Sequence, residues 1–258
     1  MITQHDLNDL MTAKALLENP GLAARLSHLL GTPIEKGFSM LPEGWHVKIN
    51  AMVRAALSRA LHAAVLTMKD APGKAASNRL HKLAVAATGG LGGLFGLPAL
   101  SVELPISTTI MLRSIVDIAR SENEDIHHPE TQMACLEVFA LGGPHKSDDA
   151  SETGYFAVRA SLAQSISNAS AYLARNGLLT DGAPALVRLI TQVANRFSIQ
   201  VSEKAAAQAV PALGAAGGAV VNTLFIDHFQ DMARGHFIVR RLEKAYGQEI
   251  VEAAYRSV

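Results

Sequence analysis

The chain has 258 residues, enough for a sizeable core in one compact unit or two smaller ones. Its 49% apolar and 18% charged residues make it apolar-rich and charge-poor, and the 23 basic side chains balance the 23 acidic ones, so no overall field draws it to nucleic acid or anionic lipid. A single cysteine, Cys135, excludes an internal disulfide framework and a cysteine-rich zinc site.

The opening "MITQHDLNDLMTAKALLENPG" lacks a basic patch followed by an apolar run, so a cytoplasmic location is expected. Residues 1–39 read as an N-terminal helical arm and residues 40–258 as one helical domain. In "VKINAMVRAALSRALHAAVLTM" the residues Ile49, Val53, Leu57, Ala60, Ala64 and Met68 recur at helical spacing. Pro72 and Gly73 in "KDAPG" stop that helix, and Ser77 is placed to cap the next. A second long helix is expected from Pro105, in its first turn, to about Arg120. The polar run "SENEDIHHPE" reads as a surface connection, with His127 and His128 exposed, followed by a shorter helix over 130–141. In "YFAVRASLAQSISNASAYLARNG" the residues Phe156, Leu162, Ile166, Ala169 and Leu173 form another helical stripe, ended at Asn176 and Gly177. No alternating strand pattern competes, and the fold class is all-α.

Two stretches carry no charge over most of their length, "LAVAATGGLGGLFGLPALSV" at 83–102 and "AAAQAVPALGAAGGAVVNTLFI" at 205–226. At an offset of 125 residues Gly89, Gly92 and Gly93 fall on Gly214, Gly217 and Gly218, Ser77 on Ser202, and Arg79 on Lys204. This predicts an internal duplication, with halves at about 47–141 and 155–258 packed around a pseudo-twofold axis and the six glycines at their contact.

The stretch "TGGLGGLFGLP" is a poor phosphate loop, because Leu94, Phe95 and Gly96 stand where a lysine and a hydroxyl would hold phosphate and magnesium. Glycines also let helices approach closely, in water as in lipid. Both stretches are long enough to cross a bilayer, but Pro98, Glu103, Pro211 and Asn222 count against full spanning. A buried hairpin is the favoured expectation, with partial insertion and spanning as the alternatives.

Chemistry-bearing residues are sparse. There is no HExxH or GxSxG pattern, and Cys135, with no adjacent histidine, reads as a buried structural thiol. The 125-residue offset places Glu103 on His228, and Asp227 adjoins it. Glu103, Asp227 and His228 are therefore the candidate metal or acid-base residues, and their oxygen and nitrogen donors would suit a divalent metal. Each has a structural role as alternative: Glu103 favouring amide dipoles near a helix start, and His228 and His236 as a partly buried, hydrogen-bonded pair flanking Phe225, Phe229 and Met232. Asp227 and Asp231 share one helix face, Arg234 is placed to compensate Asp231, and Arg113 to pair with Asp117. Aromatics are only 5% of the chain and are not interleaved with basic residues, which removes a stacking platform for nucleic acid.

The blocks "GGLGGLFGLPALSVELPISTTIMLRSIVDIARSENEDI", "CLEVFALGG", "GYFAVRASLAQSI" and "VPALGAAGGAVVNTLFIDHFQDMARGHFIVRRLEKAYGQEIVEAAY", in this order, resemble the bacterial EcsC family over roughly residues 40–256. The resemblance implies a mostly helical protein, in a family named for a gene beside an ABC transporter operon and with some members labelled peptidases. It brings no active site, so no catalytic residue is carried over. Two functions are expected: a noncatalytic accessory or scaffold protein with a membrane surface or membrane-protein complex as partner, or a metal-assisted hydrolase using the Glu103, Asp227 and His228 neighbourhood.

Overall fold

A computed structural model describes residues 2–18, 21–31, 34–67, 100–143, 151–176, 183–209 and 214–258. These form ten α-helices and a 3-10 segment, with no strand among the described residues. The helices are α1 (Gln4–Leu17), α2 (Leu22–Leu30), α3 (Glu35–Phe38), α4 (Trp45–Thr67) and α5 (Leu100–Ser121), then α6 (Pro129–Glu137) with the 3-10 segment Val138–Ala140. The series ends with α7 (Ser151–Asn176), α8 (Pro184–Ala209), α9 (Gly214–Tyr246) and α10 (Gln248–Ser257). No described helix is long and apolar enough to cross a membrane.

Local chemistry sets several ends. Thr3 caps α1 by accepting the Asp6 amide at 3.2 Å, and His128 caps α6 by accepting the Glu130 amide at 3.3 Å. Gly247, at φ +90°, supplies the turn between α9 and α10 that an L side chain resists. The helix expected to begin near Pro105 is longer at its start: α5 is described from Leu100, and Pro105 lies inside it. Pro105 denies the ladder one amide, but Leu100 and Leu104 are buried on the same face and hold the extra turn in place.

Packing follows the apolar stripes. Ile49, Val53, Leu57 and Ala60 are all buried where α4 meets α5 and α8, while Ala64 and Met68 of that stripe lie outside the described side chains. The long α9 runs against α1, α5 and α8. Phe139, Phe197, Phe225 and Phe229 tie the 3-10 segment, α8 and α9 together, with ring centroids 4.7 to 5.9 Å apart. Each such buried ring contributes roughly 1.5–3 kcal/mol by area, and the edge-on pairs add to this. The N-terminal segment is part of the same body. Arg241 of α9 pairs with Asp9 at 2.6 Å, and Arg25 of α2 with Asp231 at 3.0 Å.

Ser77, Arg79, Gly89, Gly92 and Gly93 lie outside the described residues, so the first half of the glycine alignment has no structural counterpart here and an internal duplication is not shown. Of its second half, Gly218 is buried and Gly217 half-buried at the start of α9.

Candidate functional site

Glu103 enters the core from the first turn of α5, where helix dipoles alone would welcome a carboxylate. Its actual partners come from two other helices. Lys204 Nζ of α8 lies 2.5 Å from Glu103 Oε1, and Asn222 Nδ2 of α9 donates to the same oxygen at 2.8 Å. Lys204 is 0% exposed and Glu103 5%. The ammonium also sits 4.9 Å from the centroid of the Phe225 ring. Burial pulls the lysine below its ordinary range, and Glu103 opposes that shift. Lys204, matched in the sequence only to Arg79, is thus the counter-ion of Glu103.

His228 has different surroundings. It is buried on α9 with its ring edge-on to Phe229 at 5.1 Å, and Gly142 lies so close that an added Cβ would stand 2.5 Å from Cε1. Burial, with help from Arg25, lowers its pKa to about 4, so it is neutral at physiological pH. Asn222, which marks the level of Glu103, lies six residues earlier, about 9 Å along the helix axis and on another face. Asp227 is half-buried beside His228. Among the described residues no group of three or more His, Cys, Asp or Glu is placed to hold a metal ion.

The other expectations divide. Cys135 is buried and its thiol is pushed well up by desolvation, as a structural thiol requires. His127 and His128 are exposed. Asp231 takes Arg25 as its partner, while Arg234 is exposed, because the tertiary contact with α2 supplies a cation across the helix pair. Asp117 forms a buried ion pair with Arg120. His236 is buried and hydrogen-bonded, but to Tyr155 rather than His228.

That bond leads to a second polar centre. The Tyr155 hydroxyl lies 3.0 Å from His236 Nδ1, and His236 Nε2 lies 3.6 Å from Glu137 Oε2. Burial raises the tyrosine pKa and holds that of His236 far below its ordinary value, so both are neutral. Tyr155 then donates to Nδ1, and the Nε2 proton faces the carboxylate. Glu137, 4% exposed, is pushed up to about 7 by burial, which Arg159 and Arg240 partly oppose. It lines a cleft of about 490 Å³ between α6, α7, α9 and α10. Arg159 crosses one wall, bound to Glu243 through both nitrogens at 2.7 and 2.8 Å and stacked 5.3 Å from the Tyr155 centroid. Of this centre the sequence singles out His236 alone, although Glu137 is the single acid in the apolar block "CLEVFALGG" and that isolation is a readable signal.

A family model described as the EcsC protein family matches residues 4–242. The chain belongs to the EcsC family. No curated protein and no solved structure matches it. The match begins 36 residues before the resemblance read from the sequence at residue 40, so the EcsC unit includes α1 and α2, in keeping with their packing on α9. It ends before α10, whose Gln248, Glu252 and Arg256 close one side of the cleft, so that wall lies beyond the matched EcsC region.

Proposed function

We propose that this EcsC protein is a noncatalytic accessory protein that associates with a membrane surface, through the exposed apolar side chains around the contact of α5 with α9. The observation that carries this reading is the join of α5 and α9. Glu103 in the first turn of α5 and Asn222 in the third turn of α9 join the two helices at 2.8 Å, and the described residues 100–102 and 214–226 of the uncharged stretches lie on these helices. Around the join Val102 is 67% exposed, Ile106, one turn on, 46%, and Val220 43%. The charged groups at the same level are turned inward and neutralise each other.

Three partly exposed branched side chains amount to a few kcal/mol of transfer energy, on the scale of about 1.5–3 kcal/mol for each fully buried residue. Association of that strength is reversible and peripheral, like that of a single short acyl chain. With a net charge of zero, it requires no anionic lipid.

The test is flotation of the full chain with vesicles of phosphatidylcholine alone and of phosphatidylcholine with phosphatidylglycerol. The wild type is expected to float with both, and a V102D/I106D double variant with unchanged melting to stay at the bottom. Wild-type protein that remains at the bottom with both compositions, or a double variant that floats equally well, overturns the proposal.

A further inference from the structure

The cleft beside Glu137 carries an inference independent of the membrane reading. Its walls hold both charge signs, and the pairing of those charges decides what guest they accept. Arg159 is engaged by Glu243, Arg240 by Glu124 at 3.1 Å, and Arg256 by Glu252 at 2.5 Å. Lys244 shares Glu124 at 2.8 Å, from an exposed position. Two lining acids are bonded to no cationic side chain: Glu130, exposed, and Glu137, buried, with the neutral His236 at 3.6 Å, beyond hydrogen-bond reach, and with Arg159 and Arg240 acting on it only through space because each is bonded to another acid. A buried carboxyl with unfilled acceptor capacity, facing a cleft, is a standing demand for a donor. An anionic guest would meet these two acids and have to displace Glu243 from a bidentate pair. A cationic guest meets an unfilled acceptor.

The shape narrows the guest further. Glu130 belongs also to a smaller adjoining cleft with Ser170 and Ala174 near the end of α7, whereas Glu137 lies by Tyr155 and Arg159 near its start. The groove therefore runs along α7, antiparallel to α6. Its floor is the exposed small-residue row Ala157, Ala160 and Ala163, with Phe156 and Ile166 as apolar flanks. The two acids are seven residues apart on α6, about 10 Å along the axis. An extended aliphatic chain of about eight or nine bonds, each about 1.5 Å and in zigzag, spans that distance.

We propose that this cleft binds a linear aliphatic polyamine, with terminal ammonium groups at Glu130 and Glu137 and the methylene chain along Ala157, Ala160 and Ala163. Alanines suit the methylenes because they leave room and offer apolar surface, and an internal ammonium turns to the open, hydrated side of the cleft. The cleft volume lies in the range of ordinary small-molecule sites.

Isothermal titration of the full chain with the linear triamine spermidine tests this, at about pH 8, above the value near 7 to which burial lifts Glu137. One molecule per chain is expected, with the shorter diamine putrescine binding more weakly because it cannot reach both acids. Glu137→Gln should weaken spermidine by about tenfold or more, the loss of one charge-assisted bond. Glu130→Gln should cost less, since that acid is exposed. Ala160→Leu, at an exposed position, should block the groove without touching the core, and its unchanged melting separates blocked binding from misfolding. Absence of spermidine binding to the wild type, equal binding by E137Q and A160L, or a preference for the dicarboxylate suberate overturns the proposal.

Discussion

Replacing Lys204 by methionine keeps most of the side-chain volume and removes the charge, which leaves Glu103 buried with Asn222 as its one remaining donor among the described residues. Breaking a buried pair by deleting one partner costs about 3–5 kcal/mol. The retained Asn222 bond and the close volume match place K204M at the lower end, near 3 kcal/mol. With a urea slope of about 3 kcal/mol/M for a chain of this size, the unfolding midpoint should fall by about 1 M, read by far-UV circular dichroism. The second arm is E103Q/K204M. There the amide oxygen introduced at position 103 can still accept from Asn222 and no charge is stranded, so the double variant should be within about 1 kcal/mol of the wild type. The coupling energy of the cycle is then at least about 2 kcal/mol. A K204M loss below about 1 kcal/mol, or a double variant as unstable as the two single changes summed, would refute the reasoning that the pair holds α5 to α8.

Three further outcomes follow from buried groups. Gly37 of α3 lies against α8 so closely that an added Cβ would stand 2.2 Å from the Ala206 carbonyl oxygen; Gly37→Ala should cost about 1–3 kcal/mol in thermal or urea unfolding, and a neutral result would show that α3 does not seat on α8 as described. Glu203 is pushed up to about 7 by burial from an ordinary value of 4.5. Its contribution is therefore fully present below about 4.5 and is lost as pH rises toward 7, so Glu203→Gln should match the wild type in acid and exceed it above neutrality by up to about 3 kcal/mol. Stability curves of the two proteins that run parallel across this range would sink that claim. Cys135, buried and with its thiol pushed up, should resist a thiol reagent in the native state and react fully in urea; native-state labelling at the same rate would contradict its burial.

What was legible in the sequence was what one helix can report about itself. The stripe Ile49, Val53, Leu57 and Ala60 is spaced by the helix period, and its burial follows from that spacing alone. The stripe Phe156, Leu162, Ala169 and Leu173 of "YFAVRASLAQSISNASAYLARNG" is likewise spaced by the helix period and is buried on α7, while the stop expected at Asn176 and Gly177 falls at the edge of the described residues. Proline misled at α5, since a rule about first turns assumes that nothing tertiary rewards a longer helix, and buried Leu100 and Leu104 do. Partners were the part that periodicity does not encode. Helix spacing offers Asp231 the Arg234 side chain on its own helix, but Asp231 pairs with Arg25, more than 200 residues away. The Tyr155, His236 and Glu137 chain likewise joins three helices whose proximity depends on how α7 crosses α6 and α9.

The Glu103–Lys204 pair shows where a tertiary partner did leave a trace. One uncharged stretch ends at residue 102 and is followed at once by Glu103, while the other begins at residue 205 and is preceded at once by Lys204. Opposite charges thus border two long apolar segments on their facing sides, and each charge alone would be too costly to bury there. Paired, they become an address: the desolvation penalty is offset only when α5 and α8 meet in the register that brings Nζ to Oε1, and Asn222 adds the same demand for α9. Apolar surface on these helices is non-directional and would tolerate sliding, so a buried ion pair with a single shared acceptor oxygen supplies the register that packing leaves loose. It also explains why Val102 can point outward beside a buried glutamate: adjacent positions on a helix diverge by about 100°, and fixing Glu103 inward fixes its neighbour toward the surface proposed to meet lipid.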